Sequence, residues 1–428
     1  MAQETCIRPA WVSEEEFNFA VGRSKGIEWM DGSPEPDATF FYTDDAHTTG
    51  VSINYDEAKA GLPGRDFALP DPLVFADGRQ VADANDWALR RKEILGIFER
   101  EVYGRMPPPP ASMRFELVSE KVRDEFQMVE RRYRQRFGAD DGGPFVDWVV
   151  FIPRAARGPS PFFLHLNYVG NDGIATGRTN HFPLPLADMA ARGYGFMSAN
   201  YKQITSDGPG RPGVAFDGVF ELWGWRDPKR TDNTGSLMAW AWGLSRGLDL
   251  AGRIPELDAG RCAVIGSSRL GKAALLAAAF DERFKACIPN QTGAVGVQLM
   301  KRDYGESLAA QKLNLPWWYC GGLWKWAGRE REMPFDQHML LACVAPRALL
   351  LECYHKRWFD PVGEFLSAKA ASPVWEFLAG KGLGLEEWPE PYDTVAVRPP
   401  FGYVRRTGTH GLSPHDWTWA MAFADKAL

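Results

Sequence analysis

The stretch VIGSSRLGKAALLAA (264–278) gathers the residues best suited to chemistry. An apolar β-type run ends at Gly266, a small-residue helix begins near Leu270, and Ser267, Ser268 and Arg269 fill the turn between them. Two chemistries compete for this turn. A phosphate loop requires G-x-x-x-x-G-K-[ST]; Gly266, Gly271 and Lys272 satisfy it, but Ala273 lacks the hydroxyl that holds Mg²⁺. A nucleophile elbow requires a serine on a tight strand-to-helix turn, with helix N–H groups behind its Oγ to receive an oxyanion. Ser268 fits, with Gly266 two residues before it, although Leu270 stands where G-x-S-x-G places its second glycine and Gly271 follows. A helix-capping serine would also sit here. It would leave Arg269 and Lys272 unexplained, because a helix start disfavours cations, so the pair points to a ligand or a developing negative charge nearby.

A serine nucleophile needs a base, and in α/β-hydrolases the chain order is Ser, acid, His. His47, His165 and His181 precede the elbow, whereas His338, His355, His410 and His415 follow it. His410 lies in RRTGTHGLSPHDW, a glycine-bracketed loop before the last helix, and is the expected base. His415 falls at the start of that helix and reads as a surface side chain; His338, in FDQHMLLACVAPR, reads as a structural histidine on a helix.

The elements that must position these residues follow from periodicity. Residues 1–85 are dense in Pro, Gly and Asp and read as an irregular wrap. Residues 86–103 carry helical spacing and stop at Gly104 before four prolines. Three β-rich runs follow, at 114–122, 127–137 and 145–153. Buried strands at 161–170, 194–201, 261–266, 284–290 and 348–353 then alternate with helices, clearest at 236–252 and 270–280. This pattern predicts an α/β fold with a mostly parallel sheet covered on both faces and antiparallel strands at one edge. The predicted organisation is an N-terminal extension, 1–105, wrapping a catalytic domain, 106–428.

Composition sets the outer bounds. The chain has 428 residues, 45% hydrophobic and 24% charged, with a net charge of −6 that argues against a dedicated nucleic-acid binder. No stretch nears the ~18 apolar residues that span a bilayer, which argues against an integral membrane protein. Six cysteines without a CxxC give neither a disulfide scaffold nor thiolate zinc spacing. The start, MAQETCIRPA, lacks a basic region followed by an apolar run, so no signal peptide is expected in this sequence. Seventeen tryptophans are the one outlier: flat, rigid rings suit stacking on sugars, but most fill cores in a large domain.

Taken together, GSSRLGK (266–272), NQTGAVG (290–296), WFDPVGEF (358–365) and GTH before DW (408–417) resemble the bacterial glucuronoyl esterases, carbohydrate esterase family fifteen. NYDEAK, LPDPL and VYGRMP in the N-terminal third extend the resemblance over most of the chain. It implies a three-layer α/β-hydrolase sandwich that cleaves esters between 4-O-methyl-glucuronic acid on xylan and alcohols of lignin. The expected partner is thus glucuronoxylan in lignin–carbohydrate esters. No metal or organic cofactor, nucleic acid or membrane is expected, and the chain is expected to be a monomer acting outside the cell or in the periplasm.

Carried over residue by residue, the resemblance makes Ser268 the nucleophile and His410 the general base. Arg269 is implied as the oxyanion residue, and Lys272 as a hydrogen-bond partner of the uronate hydroxyls. Glu306 in RDYGE and Trp318 in PWWY fit positions that contact and cover the sugar. The acid departs from the pattern. Gln291 occupies the position of a common glutamate, and the alternative position before the W-x-D-P tryptophan reads Tyr354, His355, Lys356, Arg357. Asp360, on a loop after the strand, is the expected acid, with Glu352 second. Two other readings keep this site: a serine esterase for other acyl groups, preferring acetyl or aryl esters, and a silent relative that binds glucuronoxylan without turnover. The phosphate loop predicts Mg²⁺-dependent nucleotide binding instead.

Overall fold

The computed structural model describes residues 54, 57–139, 142–179, 182–208, 216–223, 227, 229–354 and 359–428. Most of the expected N-terminal wrap lies outside the described residues, as do His47, His181 and His355.

Nine strands form one sheet: β1 (Met113–Arg123), β2 (Met128–Phe137), β3 (Phe145–Pro153), β4 (Ser160–Asn167), β5 (Gly195–Asn200), β6 (Leu257–Ser267), β7 (Ala286–Asn290), β8 (Ala348–Tyr354) and β9 (Phe401–Arg406). Their spatial order is β1-β2-β3-β5-β4-β6-β7-β8-β9. Pairings among β1, β2, β3 and β5 are antiparallel, and every pairing from β5 through β4 to β9 is parallel. The predicted mixed sheet with an antiparallel edge is therefore the observed one. β9 has no counterpart among the predicted strands, and the β4–β5 order is reversed relative to the chain.

Nine described helices accompany the sheet: α1 (Ala84–Phe98), α2 (Gly170–Ala175), α3 (Leu186–Ala191), α4 (Ser236–Ala251), α5 (Arg269–Phe280), α6 (Leu308–Asn314), α7 (Gln337–Ala342), α8 (Pro361–Ala379) and α9 (Pro414–Ala427). Successive strand side chains point to opposite faces, so each buried strand feeds two cores. Cys262 and Val264 of β6 join Phe162 and Leu164 of β4 in the larger core, with residues of α1, α4, α5, α7 and α8. Ala263 and Ile265 face the other way, with Phe163, Met189 and Trp417, under α3 and α9. This is the three-layer arrangement the alternation demands.

Asp83 caps α1 through its side chain, and the helix continues into one wide turn, Glu99–Tyr103, that ends at Gly104 in the left-handed region (φ 80°). Trp87, Ile94, Phe98 and Tyr103 lie in the larger core, so this segment is integral to the same hydrophobic body as the sheet. Among the described residues, no helix is long and apolar enough to cross a membrane. Among the described residues, Cys262, Cys287, Cys320, Cys343 and Cys353 are buried and form no disulfide with one another.

Candidate active site

The parallel strands end together: Ser267 of β6 pairs with Asn290 of β7, and Asn290 with Glu352 of β8. Ser268 follows at φ 58°, ψ −128°, a conformation comfortable only for glycine. Its N–H donates to Asn290 O at 2.9 Å, and its carbonyl accepts from Lys272 N at 3.0 Å, which pins the bend from both sides. The glycines permit the bend. A Cβ on Gly266 would meet Leu270 O at 2.2 Å, and one on Gly271 would meet Asn290 O at 2.8 Å. The second glycine of the motif therefore acts from 271, where α5 crosses β7, and Leu270 is free to enter the core. Ser268 occupies the cap position of α5, yet its side chain makes no capping hydrogen bond, so the half-buried hydroxyl is left over the carboxyl ends of the strands.

His410 lies between β9 and α9. Its Nδ1 is 2.6 Å from Gln291 Oε1, and Gly411 N donates to the same oxygen at 2.9 Å. The Gly411 N–H, which can only donate, identifies that atom as the amide oxygen. Since that oxygen only accepts, Nδ1 carries the proton and Nε2 is the basic nitrogen. Gln291 directly follows the strand residue that receives the Ser268 N–H, so elbow and imidazole meet through it. Phe359 and Tyr354 flank the imidazole with ring centroids 5.1 and 6.0 Å away. Arg406 fixes the loop from below. Its guanidinium donates to the carbonyls of Thr407 (3.1 Å), Thr409 (2.8 Å) and Gly411 (2.5 Å), while Nε reaches both Asp416 oxygens at 2.9 and 2.8 Å.

Neither expected carboxylate orients His410, and the assignment of Asp360 as the acid is corrected. Asp360 Oδ1 accepts from Arg302 Nε and Gly363 N, both at 3.0 Å, and Oδ2 is buried without a hydrogen-bond partner among the described residues. Its work is to cap α8, ahead of Pro361, and to pair with a buried arginine; burial pushes its pKa up to about 6 against the pull of Arg302. Glu352 accepts from Asn290 Nδ2 at 3.0 Å, and burial, reinforced by nearby Asp416, pushes its carboxyl well above the usual range. His355, Lys356 and Arg357 offer no carboxylate in the remaining position. The group behind the imidazole is an amide.

The cations lie in the first turn of α5. Arg269 forms an ion pair with Asp207, and its Cζ is 4.9 Å from the centroid of Trp318. Lys272 Nζ is 5.1 Å from the same ring. Trp318 is itself only 3% exposed, with its ring turned toward the two cations and its indole N–H donating to Asp207 Oδ1 at 2.8 Å. Burial pulls the Lys272 ammonium down to about 8; Glu306 and Glu364 oppose this, and Arg269 adds to it. Glu306 is buried, and its Oε2 accepts from Ala294 N at 3.3 Å in the loop that follows β7. The five residues Ser268, Arg269, Lys272, Glu306 and Trp318 thus share one neighbourhood.

Gln291, at the position of the usual glutamate, anchors the imidazole by hydrogen bonding without supplying charge. Two other contributors were not predicted from sequence. Tyr168, just after β4, donates to Ser267 O at 2.8 Å; burial pushes its phenol up to about 12, so it stays neutral. Asp207 sits in the turn-rich ITSDGPG, where an aspartate reads as an ordinary loop residue. His338 is buried on α7 with Nε2 2.8 Å from Pro70 O, a structural role as expected.

The family profile described as "Glucuronyl esterase, fungi" matches residues 196–379. A carbohydrate esterase from an unknown prokaryotic organism is 30% identical over 413 residues, covering 89% of this chain and 93% of the relative. Among solved structures, a glucuronoyl esterase from Solibacter usitatus superposes with a TM-score of 0.78 at 34% identity, over 86% of this chain and 99% of that one. A promiscuous CE15 esterase from the marine bacterial metagenome gives a TM-score of 0.77 at 30% identity, over 88% of this chain and 100% of the other.

Proposed function

The chain belongs to carbohydrate esterase family fifteen, the glucuronoyl esterases, which are carboxylic ester hydrolases, and from that membership we propose that it cleaves esters of 4-O-methyl-D-glucuronic acid that join glucuronoxylan to lignin alcohols. The observation that carries the reading is the strained elbow at Ser268, whose N–H is held by Asn290, with Gln291, the next residue, fixing the His410 imidazole.

In this mechanism His410 Nε2 takes the Ser268 proton as Oγ attacks C6 of the uronate. The oxyanion forms at the N-terminus of α5, where the N–H of Arg269 and its guanidinium face the new charge; loss of one such donor typically costs ~10²–10³ in kcat. The imidazolium then protonates the leaving alcohol, and water reverses the steps to release the acid. Lys272 and Glu306 hold the sugar, while Trp318, buried under Arg269 and Lys272, supports the two cations rather than covering the ring. Gln291 keeps the ring oriented through both half-reactions but offers no charge to the imidazolium. A polymeric plant substrate places the reaction outside the cytoplasm, and a monomer suffices for a site built within one chain.

The test compares wild type and Ser268→Ala on benzyl glucuronate. Turnover in the wild type, abolished in the variant, is expected; a variant with the wild-type rate overturns the assignment. A second reading, wider acyl acceptance, is favoured by the similarity to the esterase described as promiscuous. Equal kcat/KM for p-nitrophenyl acetate and benzyl glucuronate would select it.

A further inference from the structure

We infer that Asp207 is a positioning residue for the reaction, acting through Arg269. The inference rests on the reading of Arg269 as the oxyanion residue.

The Asp207 side chain is 4% exposed, and it has four donors. Oδ1 accepts from the indole nitrogens of Trp317 (3.0 Å) and Trp318 (2.8 Å), and Oδ2 from Tyr201 Oη (2.9 Å) and the Arg269 guanidinium. Burial alone would raise its pKa, but Arg269 and the two indoles outweigh that and hold the carboxyl below the usual range. The anion is therefore kept where water cannot reach it. A buried carboxylate so fully served is costly to assemble unless its charge is used.

Its use is visible on the other side of the ion pair. The guanidinium begins one residue after the nucleophile and would swing freely on a long side chain. Here Asp207 holds one end, the Trp318 ring lies 4.9 Å from Cζ, and the Tyr168 ring 5.9 Å. Only one of the three nitrogens, Nη1, is committed to the carboxylate, and Nε is buried without a hydrogen-bond partner among the described residues. A clamped guanidinium with a donor in reserve is the state an oxyanion site needs before substrate arrives, since orientation is then settled before the charge develops. Because Trp318 shares the same carboxylate, one residue sets both the cation and the ring beneath it.

A double-mutant cycle separates this role from support of the fold. Its readout is kcat on both benzyl glucuronate and p-nitrophenyl acetate, which frees it from the uronate assignment. Arg269→Ala is expected to lose ~10²-fold or more, and Asp207→Asn ~10–10²-fold through misplacement of the guanidinium. The double variant should match Arg269→Ala within about threefold, because the brace has nothing left to hold. Trp317→Phe removes one donor and retains the carboxylate; a few-fold kcat loss, absent in the Arg269→Ala background, is expected. Wild-type kcat in Asp207→Asn, or losses that multiply in both double variants, overturns the inference. If Asp207→Asn does not fold, the Trp317→Phe pair decides alone by the same criterion. A wild-type chain with no Ser268-dependent turnover on either ester overturns the proposed function, and this inference with it.

Discussion

Replacing Gln291 by Glu should accelerate the enzyme, and the size of the gain follows from the site. The amide oxygen lies 2.6 Å from His410 Nδ1, so a carboxylate there would hold its charge about 4 Å from the centre of the imidazolium. At an effective dielectric of ~20 that attraction is ~4 kcal/mol. Two losses reduce it. Gln291 is 1% exposed, so the new charge is desolvated, although the His410 and Gly411 N–H groups already point at it. Gln291 Nε2 also donates weakly to Gly411 O at 3.5 Å, and an oxygen there would repel that carbonyl at a cost of ~1 kcal/mol. A net gain of ~1.4–3 kcal/mol remains, ~10–100-fold in kcat. The assay is hydrolysis of benzyl glucuronate across pH. The added charge favours the imidazolium, so the acid limb of the kcat profile, which reports the neutral base, moves to higher pH; rates are compared on the plateau above both limbs. A glutamate variant that folds but is no faster would refute the view that this imidazole lacks charge support.

Three further outcomes are expected. Ser268→Gly should unfold at higher denaturant than Ser268→Ala by ~1 kcal/mol, since glycine relieves ~1–3 kcal/mol of backbone strain at φ 58° and returns part of it as unfolded-state entropy; equal midpoints would remove the strain argument. As pH rises through about 8, Lys272 loses its proton, so KM for the uronate ester should climb while kcat holds; Lys272→Gln should flatten that KM profile, and a flat wild-type profile would refute the contact. Arg406→Met leaves Asp416, fully buried, without its partner and should cost ~3–5 kcal/mol in urea unfolding, with kcat falling as the His410 loop loosens; a loss below ~1 kcal/mol would show that the pair is dispensable.

Much of this architecture was legible in the sequence, for identifiable reasons. The elbow could be read because an apolar run, two glycines and a small-residue helix leave few conformations for the residues between them. His410 could be read because glycines on both sides mark a loop just before a capped helix, and Ser413 with Asp416 does form that cap. What remained hidden depends on pairing between distant segments. Phe401–Arg406 is short and mixed in polarity, and becomes a strand because β8 offers it a parallel neighbour. Asp360 followed by Pro resembles a loop acid as well as a helix cap, and only Arg302, 58 residues away, decides which. Asp207 could not be singled out because the groups that give it meaning, Arg269, Trp317 and Trp318, lie 62 to 111 residues further along.

The fate of Asp360 carries a further consequence. Arg302, 1% exposed, is shared between Asp360 and Glu57, and Asp360 opens the helix directly after Phe359, whose ring leans on His410. A truncation that removes Glu57 halves the negative charge around this guanidinium, and leaves Asp360 as its one carboxylate beside the Gly61 carbonyl. Damage near the amino end of the chain would then register at the proton-transfer step, with the base knocked askew while every residue that touches the ester is intact.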